Sequence, residues 1–211
     1  MRIPPQGWLS CRLYVGGGQM SLFGYHIYSA DAPQLASGAA YDYILAGNGV
    51  MVHAVNKHLT ARVEVAAADI RGLVWSRPYL HLHHGRIPQR LWDLTVSVMM
   101  TDPTKEAFAA IIWDGEYRLH YPQQIRGTAS VAYTPHPDTV FEIHSHGAMK
   151  PFFSGTDDRD EQGMRIYGVI GHLTNKPTVV LRMGVYGYFG SVDWGEVFEG
   201  DPGMKIGGSM A

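Results

Sequence analysis

The stretch Phe141–Asp157, FEIHSHGAMKPFFSGTD, constrains this chain more than any other. It places histidines at 144 and 146, a serine at 154 and an aspartate at 157. Side chains alternate faces along a β-strand, so His144 and His146 project to the same side at the spacing one metal ion needs. Gly147 and Pro151 interrupt the strand that follows, and the chain can fold back. Ser154 is a good helix N-cap, and Asp157 falls in the first helical turn, where negative charge is favoured. That path aims Asp157 at the two imidazoles. Two His and one Asp leave one position of a tetrahedral zinc open, the arrangement of a catalytic rather than a structural centre. One zinc per chain is expected.

A zinc hydrolase also needs a proton carrier beside the attacking water. The chain has seven glutamates, few enough to eliminate. Glu64 lies in a β-rich N-terminal run, and Glu116 stands just beyond an Asp114-Gly115 turn. Glu161, Glu196 and Glu199 follow the histidine stretch, in a helix or near the chain's end. Two remain. Glu106 sits at the mouth of a strand after a helical stretch, and Glu142 shares the face of His144 but lies about 7 Å back along the strand.

At their spacing, His144, His146, Ser154 and Asp157 resemble the JAMM motif of the JAB/MPN metalloprotease family, over roughly residues 88 to 190. The resemblance implies an α+β MPN/JAB-like fold: a cytidine-deaminase-like mixed sheet flanked by helices. It implies a zinc isopeptidase or peptidase acting on a ubiquitin-like protein or its conjugate. It favours Glu106 as the general base, because the family carries its catalytic Glu at that place, and gives Ser154 the role of oxyanion donor. One departure stands out: Gly147 occupies the position after the second His, where the common family pattern has Pro. More narrowly, HSHGAMKPFFSGTDDRDE resembles the prokaryotic JAB proteins of the PRTRC cassette, which implies a ThiF-like activating enzyme as a partner. Two other classes compete. One is a non-catalytic MPN scaffold of a plasmid or mobile-element complex, against which the intact ligand set weighs. The other is a RadC-like, DNA-associated branch with the same spacing.

Composition narrows the field. Hydrophobic residues are 45% and charged residues 17%, a balance that buries a core. A formal charge of −2 offers no basic footprint for nucleic acid. The single cysteine, Cys11, forbids an intrachain disulfide and fits a reducing cytoplasm. No run approaches the length of a membrane helix, and no secretory leader is visible.

Four segments are expected: a loose lead-in over 1–19, a β-rich N-terminal module over 20–86, the JAB/MPN domain over 87–195, and a frayed tail over 196–211. Gly16 to Gln19 fits a translated ribosome-binding site with Met20 as the native start. Mass spectrometry of protein from the natural host would contradict this by finding a peptide upstream of Met20. Asn48-Gly49 between apolar flanks signals a hairpin. Pro78 bars a central strand just after it. Leu91, Leu94, Thr95, Val98 and Met99 mark the apolar face of a helix over 88–102, and a short helix is expected over 156–164. His81, His83 and His84 form a second histidine cluster. No carboxylate follows at a comparable spacing, so they are read as a strand face lining the cleft rather than as a second metal pair.

Overall fold

The computed structural model describes residues 12–15, 18–30, 38–128 and 130–207. Strands β1 (Arg12–Val15) and β2 (Gly18–Ser21) pair antiparallel. The described part of the expected loose lead-in is therefore a two-stranded ladder, in which Val15 pairs with Gly18 and Arg12 with Ser21. Residues 1–11 lie outside the described residues.

Five strands follow in one sheet, ordered β3 (Phe23–Ile27), β4 (Tyr41–Ala46), β5 (Gly49–Val55), β6 (Leu59–Ala67) and β7 (Tyr79–Leu82). β3 and β4 run parallel, and the other pairs are antiparallel. Alternation is visible in β4, where Asp42, Ile44 and Ala46 are buried and Tyr41, Tyr43 and Leu45 are half-buried, with Tyr41 and Tyr43 packed against the core shared with the second sheet. The expected hairpin is present with its two-residue turn one position earlier, at Gly47-Asn48, since Ala46 pairs with Gly49. Asn48 holds that turn by accepting from the Ser76 amide at 2.8 Å and donating to the Ser76 carbonyl at 2.9 Å. Pro78 directly precedes β7, the edge strand, where a missing N–H costs no ladder bond.

The second half carries α1 (Gln89–Met99), β8 (Phe108–Trp113), β9 (Tyr117–His120), β10 (Gln124–Arg126), β11 (Val131–Tyr133) and β12 (Thr139–Ser145). Then come α2 (Gly155–Asp160), β13 (Arg165–Gly171), β14 (Thr178–Val185), β15 (Tyr188–Ser191), α3 (Trp194–Val197) and β16 (Lys205–Ile206). The larger sheet has the order β15-β14-β13-β12-β8-β9, with β16 added beside β14. β12 and β13 are parallel, so the chain between them must cross over. That crossover contains the whole Gly147–Asp157 stretch. β10 and β11 form a separate hairpin. Mixed sheets with few helices make this an α+β fold.

One core joins both sheets. Val52, Ala61 and Val63 pack in the same cluster as Ile111, Phe141, Ile143, Val179 and Met183. The helix expected over 88–102 is α1, with Pro88 at its N-cap. Its buried face is Leu91, Trp92, Thr95 and Met99, whereas Leu94 is 49% exposed. Trp92 turns the helix toward itself because it packs on Trp194 and Phe198, ring centroids 4.8 and 5.4 Å away. The same packing corrects the frayed tail expected over 196–211. Val197 and Phe198 are fully buried, Glu199 N–H bonds the Ile87 carbonyl, and Gly207 N–H bonds that of Val179. The chain is thus tied down as far as Gly207, and residues 208–211 lie outside the described residues. The helix expected over 156–164 is shorter, ending at Asp160 before the bend at Gly163-Met164. Among the described residues no helix is long and apolar enough to cross a membrane.

Candidate metal centre

β12 runs through the middle of the larger sheet, with His144 opposite Phe108 on β8 and Val169 on β13. Glu142 and His144 share one face, and Phe141 and Ile143 turn into the core. His146 stands just past the end of β12, where its N–H still bonds the Ile170 carbonyl at 2.8 Å. Gly147 then takes φ +54°, and a Cβ there would meet the Pro103 carbonyl at 2.7 Å. Proline, with φ fixed near −65°, could not adopt this backbone. The glycine that departs from the family pattern is therefore demanded by this loop.

The returning chain caps α2 with Ser154. Its hydroxyl accepts from Thr156 and Asp157 N–H at 3.3 Å each, and its own N–H donates to Asp157 Oδ2 at 2.5 Å. This capping box fixes the Asp157 carboxylate and turns its other oxygen inward. Asp157 Oδ1 lies 3.5 Å from His144 Nε2, which is 3.2 Å from His146 Nε2. One ligand atom from each of the three residues lies within 4.8 Å of the others. Nitrogen ligands at about 2.0–2.1 Å in tetrahedral array stand about 3.3 Å apart, so the separations fit a bound zinc.

The donor chemistry fits as well. His146 Nδ1 is 3.3 Å from the Lys150 carbonyl oxygen, which can only accept. The ring therefore carries its proton on Nδ1 and keeps the Nε2 lone pair for a metal. Phe152 packs edge-on against this ring at 4.7 Å. Burial lowers His144 to about 4, with His146 and Arg182 adding to that and Asp157 opposing it. Burial also lowers His146. Both imidazoles are thus neutral near pH 7, the ligating form. Burial pushes Asp157 up, but the Ser154 hydrogen bonds and the neighbouring imidazoles outweigh it, leaving the carboxyl below its ordinary range.

Glu106 and Glu142 both line the cavity that holds these residues, together with Ser154, Tyr133 and Glu161. Each glutamate is 8% exposed, so burial does not separate them. Pairing does. Glu142 is bound by Arg165 Nη1, whereas Glu106 makes no side-chain ion pair or hydrogen bond among the described residues. The backbone of Glu106 is held on both sides, by the Gly127 carbonyl and by Arg126 Nε, each at 2.9 Å. Burial, and then the charge of Asp157, raises its pKa above the ordinary value. The structure therefore brings Glu106, His144, His146, Ser154 and Asp157 round one cavity.

Glu161, set aside in the sequence as part of the following helix, also reaches this cavity. Burial pushes its carboxyl up to about 8, against the pull of Arg182, which donates two hydrogen bonds to it. A signal for Arg182 exists in the sequence: it is the one charge inside the apolar run Thr178–Val185, and buried charges are retained only with partners. The second histidine cluster does not line this cavity, contrary to expectation. His84 instead stacks on Trp113 at 3.9 Å and 3°, and His83 Nε2 meets Thr60 Oγ1 at 2.9 Å. Trp113 is at the opposite end of β8 from Phe108, the residue paired with His144, which keeps His84 away from the site.

Fold and site together define an α+β protein whose two histidines and one aspartate can take a divalent metal and leave a coordination position open. Residues 88–184 match the family described as prokaryotic homologs of the JAB domain. No curated protein matches the chain.

Proposed function

We propose that the protein is a zinc-dependent peptidase or isopeptidase that hydrolyses an amide bond at the C-terminus of a ubiquitin-like protein or its conjugate. The observation that carries this reading is the meeting of a buried glutamate with no side-chain partner among the described residues, Glu106, with His144, His146 and Asp157 in one cavity. His144, His146 and Asp157 would hold the zinc, which when bound supplies a Lewis acid and a water whose pKa falls toward about 7. Glu106 takes the proton of the attacking water and passes it to the leaving amine. Its raised pKa suits it to both steps. Ser154 Oγ accepts its two capping bonds through lone pairs and keeps its O–H free to donate to the developing oxyanion. Removal of such a donor elsewhere costs about 3 kcal/mol of transition-state stabilisation.

The substrate class rests on the resemblance of HSHGAMKPFFSGTDDRDE to JAB proteins of the PRTRC cassette. A ThiF-like activating enzyme is the partner that this resemblance supports, and the single cysteine is consistent with a cytoplasmic location. The test is turnover of ubiquitin-like proteins carrying a fluorogenic amide at their C-terminus. Zinc-loaded wild type should cleave at least one, and Glu106→Ala should lose about a hundredfold or more. Inactivity of the zinc-loaded wild type across such a panel would favour the scaffold reading.

A further inference from the structure

We propose that Arg182 is the positioning residue for Asp157, the clamp that sets the third metal ligand against the two histidines. The inference rests on the metal-site reading above and adds a residue to it. It starts from a weakness of α2. This helix has six residues and none of them is buried, so apolar packing cannot hold it against the sheet. Its N-terminal cap ties Asp157 to Ser154 but ties neither to the body of the protein.

Arg182, on β14, makes that connection. Its side chain is 3% exposed. Nη1 donates to Asp158 Oδ1 at 2.5 Å, and Nε and Nη2 donate to Glu161 Oε2 at 2.8 and 2.6 Å. The fork grips the residue after Asp157 and the residue that caps the C-terminus of the helix. The guanidinium also lies between two rings, with its carbon 3.9 Å from the Phe153 centroid and 3.6 Å from that of Phe189. Phe153 is the residue before the Ser154 cap. One rigid, planar group on a central strand thus fixes the loop entering α2 and both ends of the turn that presents Asp157. A lysine could not reproduce it, because an ammonium offers a point charge in place of a planar fork.

The experiment compares wild type with Arg182→Met, Arg182→Lys and Asp158→Ala. The readouts are zinc affinity, by competition with a chelating dye, and amide hydrogen exchange in the metal-free protein. Arg182→Met should weaken zinc binding about ten- to a hundredfold, the usual effect of removing a group that orients a ligand. It should speed exchange at residues 156–161 and leave β12 protected. Arg182→Lys should fall between it and wild type. Asp158→Ala, at an outward-facing position, removes one arm of the fork without opening the core and should weaken zinc in the same direction. Wild-type affinity and wild-type exchange at 156–161 in Arg182→Met would overturn the assignment. Loss of β12 protection in Arg182→Met, with no effect of Asp158→Ala, would overturn it too, since Arg182 would then support the sheet as a whole. If wild type bound no zinc, the metal-site reading would fall, and exchange at 156–161 would still decide whether Arg182 holds Asp157 in place.

Discussion

Ser145 and Ala107 are joined by two hydrogen bonds: Ala107 N–H donates to Ser145 Oγ at 2.9 Å, and Ser145 N–H donates to the Ala107 carbonyl at 2.8 Å. Ser145 lies between the two histidines, and Ala107 follows Glu106. The pair therefore couples the proposed base to the metal strand across the β8–β12 ladder. Ser145 is fully buried, so Ser145→Ala leaves the Ala107 N–H without a partner. Denaturant unfolding should show a loss of about 1–3 kcal/mol. Turnover should fall with little change in zinc content, because the ligands stay and the base shifts.

Glu106→Gln should keep its zinc and lose turnover. The raised pKa of Glu106 adds a stability prediction with a definite sign. A carboxyl whose pKa is higher in the folded than in the unfolded state favours folding below the unfolded pKa. That contribution is lost as pH rises through the folded pKa. Metal-free Glu106→Gln should therefore be more stable than metal-free wild type at pH 7, and the gap should close toward pH 4. A gap that widened on acidification would contradict a raised Glu106.

Zinc affinity should depend weakly on pH between about 6 and 7.5. Two ordinary imidazoles, titrating near 6.5, would each compete with the metal for a proton over this range. Burial holds His144 at about 4, so it carries no proton over this range, and burial lowers His146, so its proton competes less than that of an ordinary imidazole. Chelator competition at several pH values measures this directly. A steep fall in affinity just below pH 6.5 would show the rings to be solvated.

Phe198 anchors the last described segment against Trp92, Phe141 and Trp194 and is fully buried. Phe198→Ala should cost about 3–5 kcal/mol, as large-to-small changes in a packed core do. A loss under about 1 kcal/mol would mean that the segment frays after all.

The sequence was most legible where chemistry demands local spacing. His144-x-His146 needs only strand alternation to point two rings one way, and Ser154-x-x-Asp157 needs only a helix cap to turn a carboxylate back. Glu106 was less legible. Elimination left it beside Glu142, and the difference between them, the Arg165 partner of Glu142, is a contact across 23 residues of chain. Arg182 was invisible to spacing for the same reason, since its partners lie 24 and 21 residues away. The helix face over 89–99 was misplaced toward Leu94 because Trp92 takes its partners, Trp194 and Phe198, from the far end of the chain. Those long-range aromatics also hold the segment that turn-rich composition alone would have left free.

Metal content per chain, by elemental analysis of wild type and His146→Ala purified without chelators, tests the central claim most directly. About one zinc per wild-type chain and little in the variant are expected. A wild-type protein without zinc, or a variant that retained it in full, would contradict that claim.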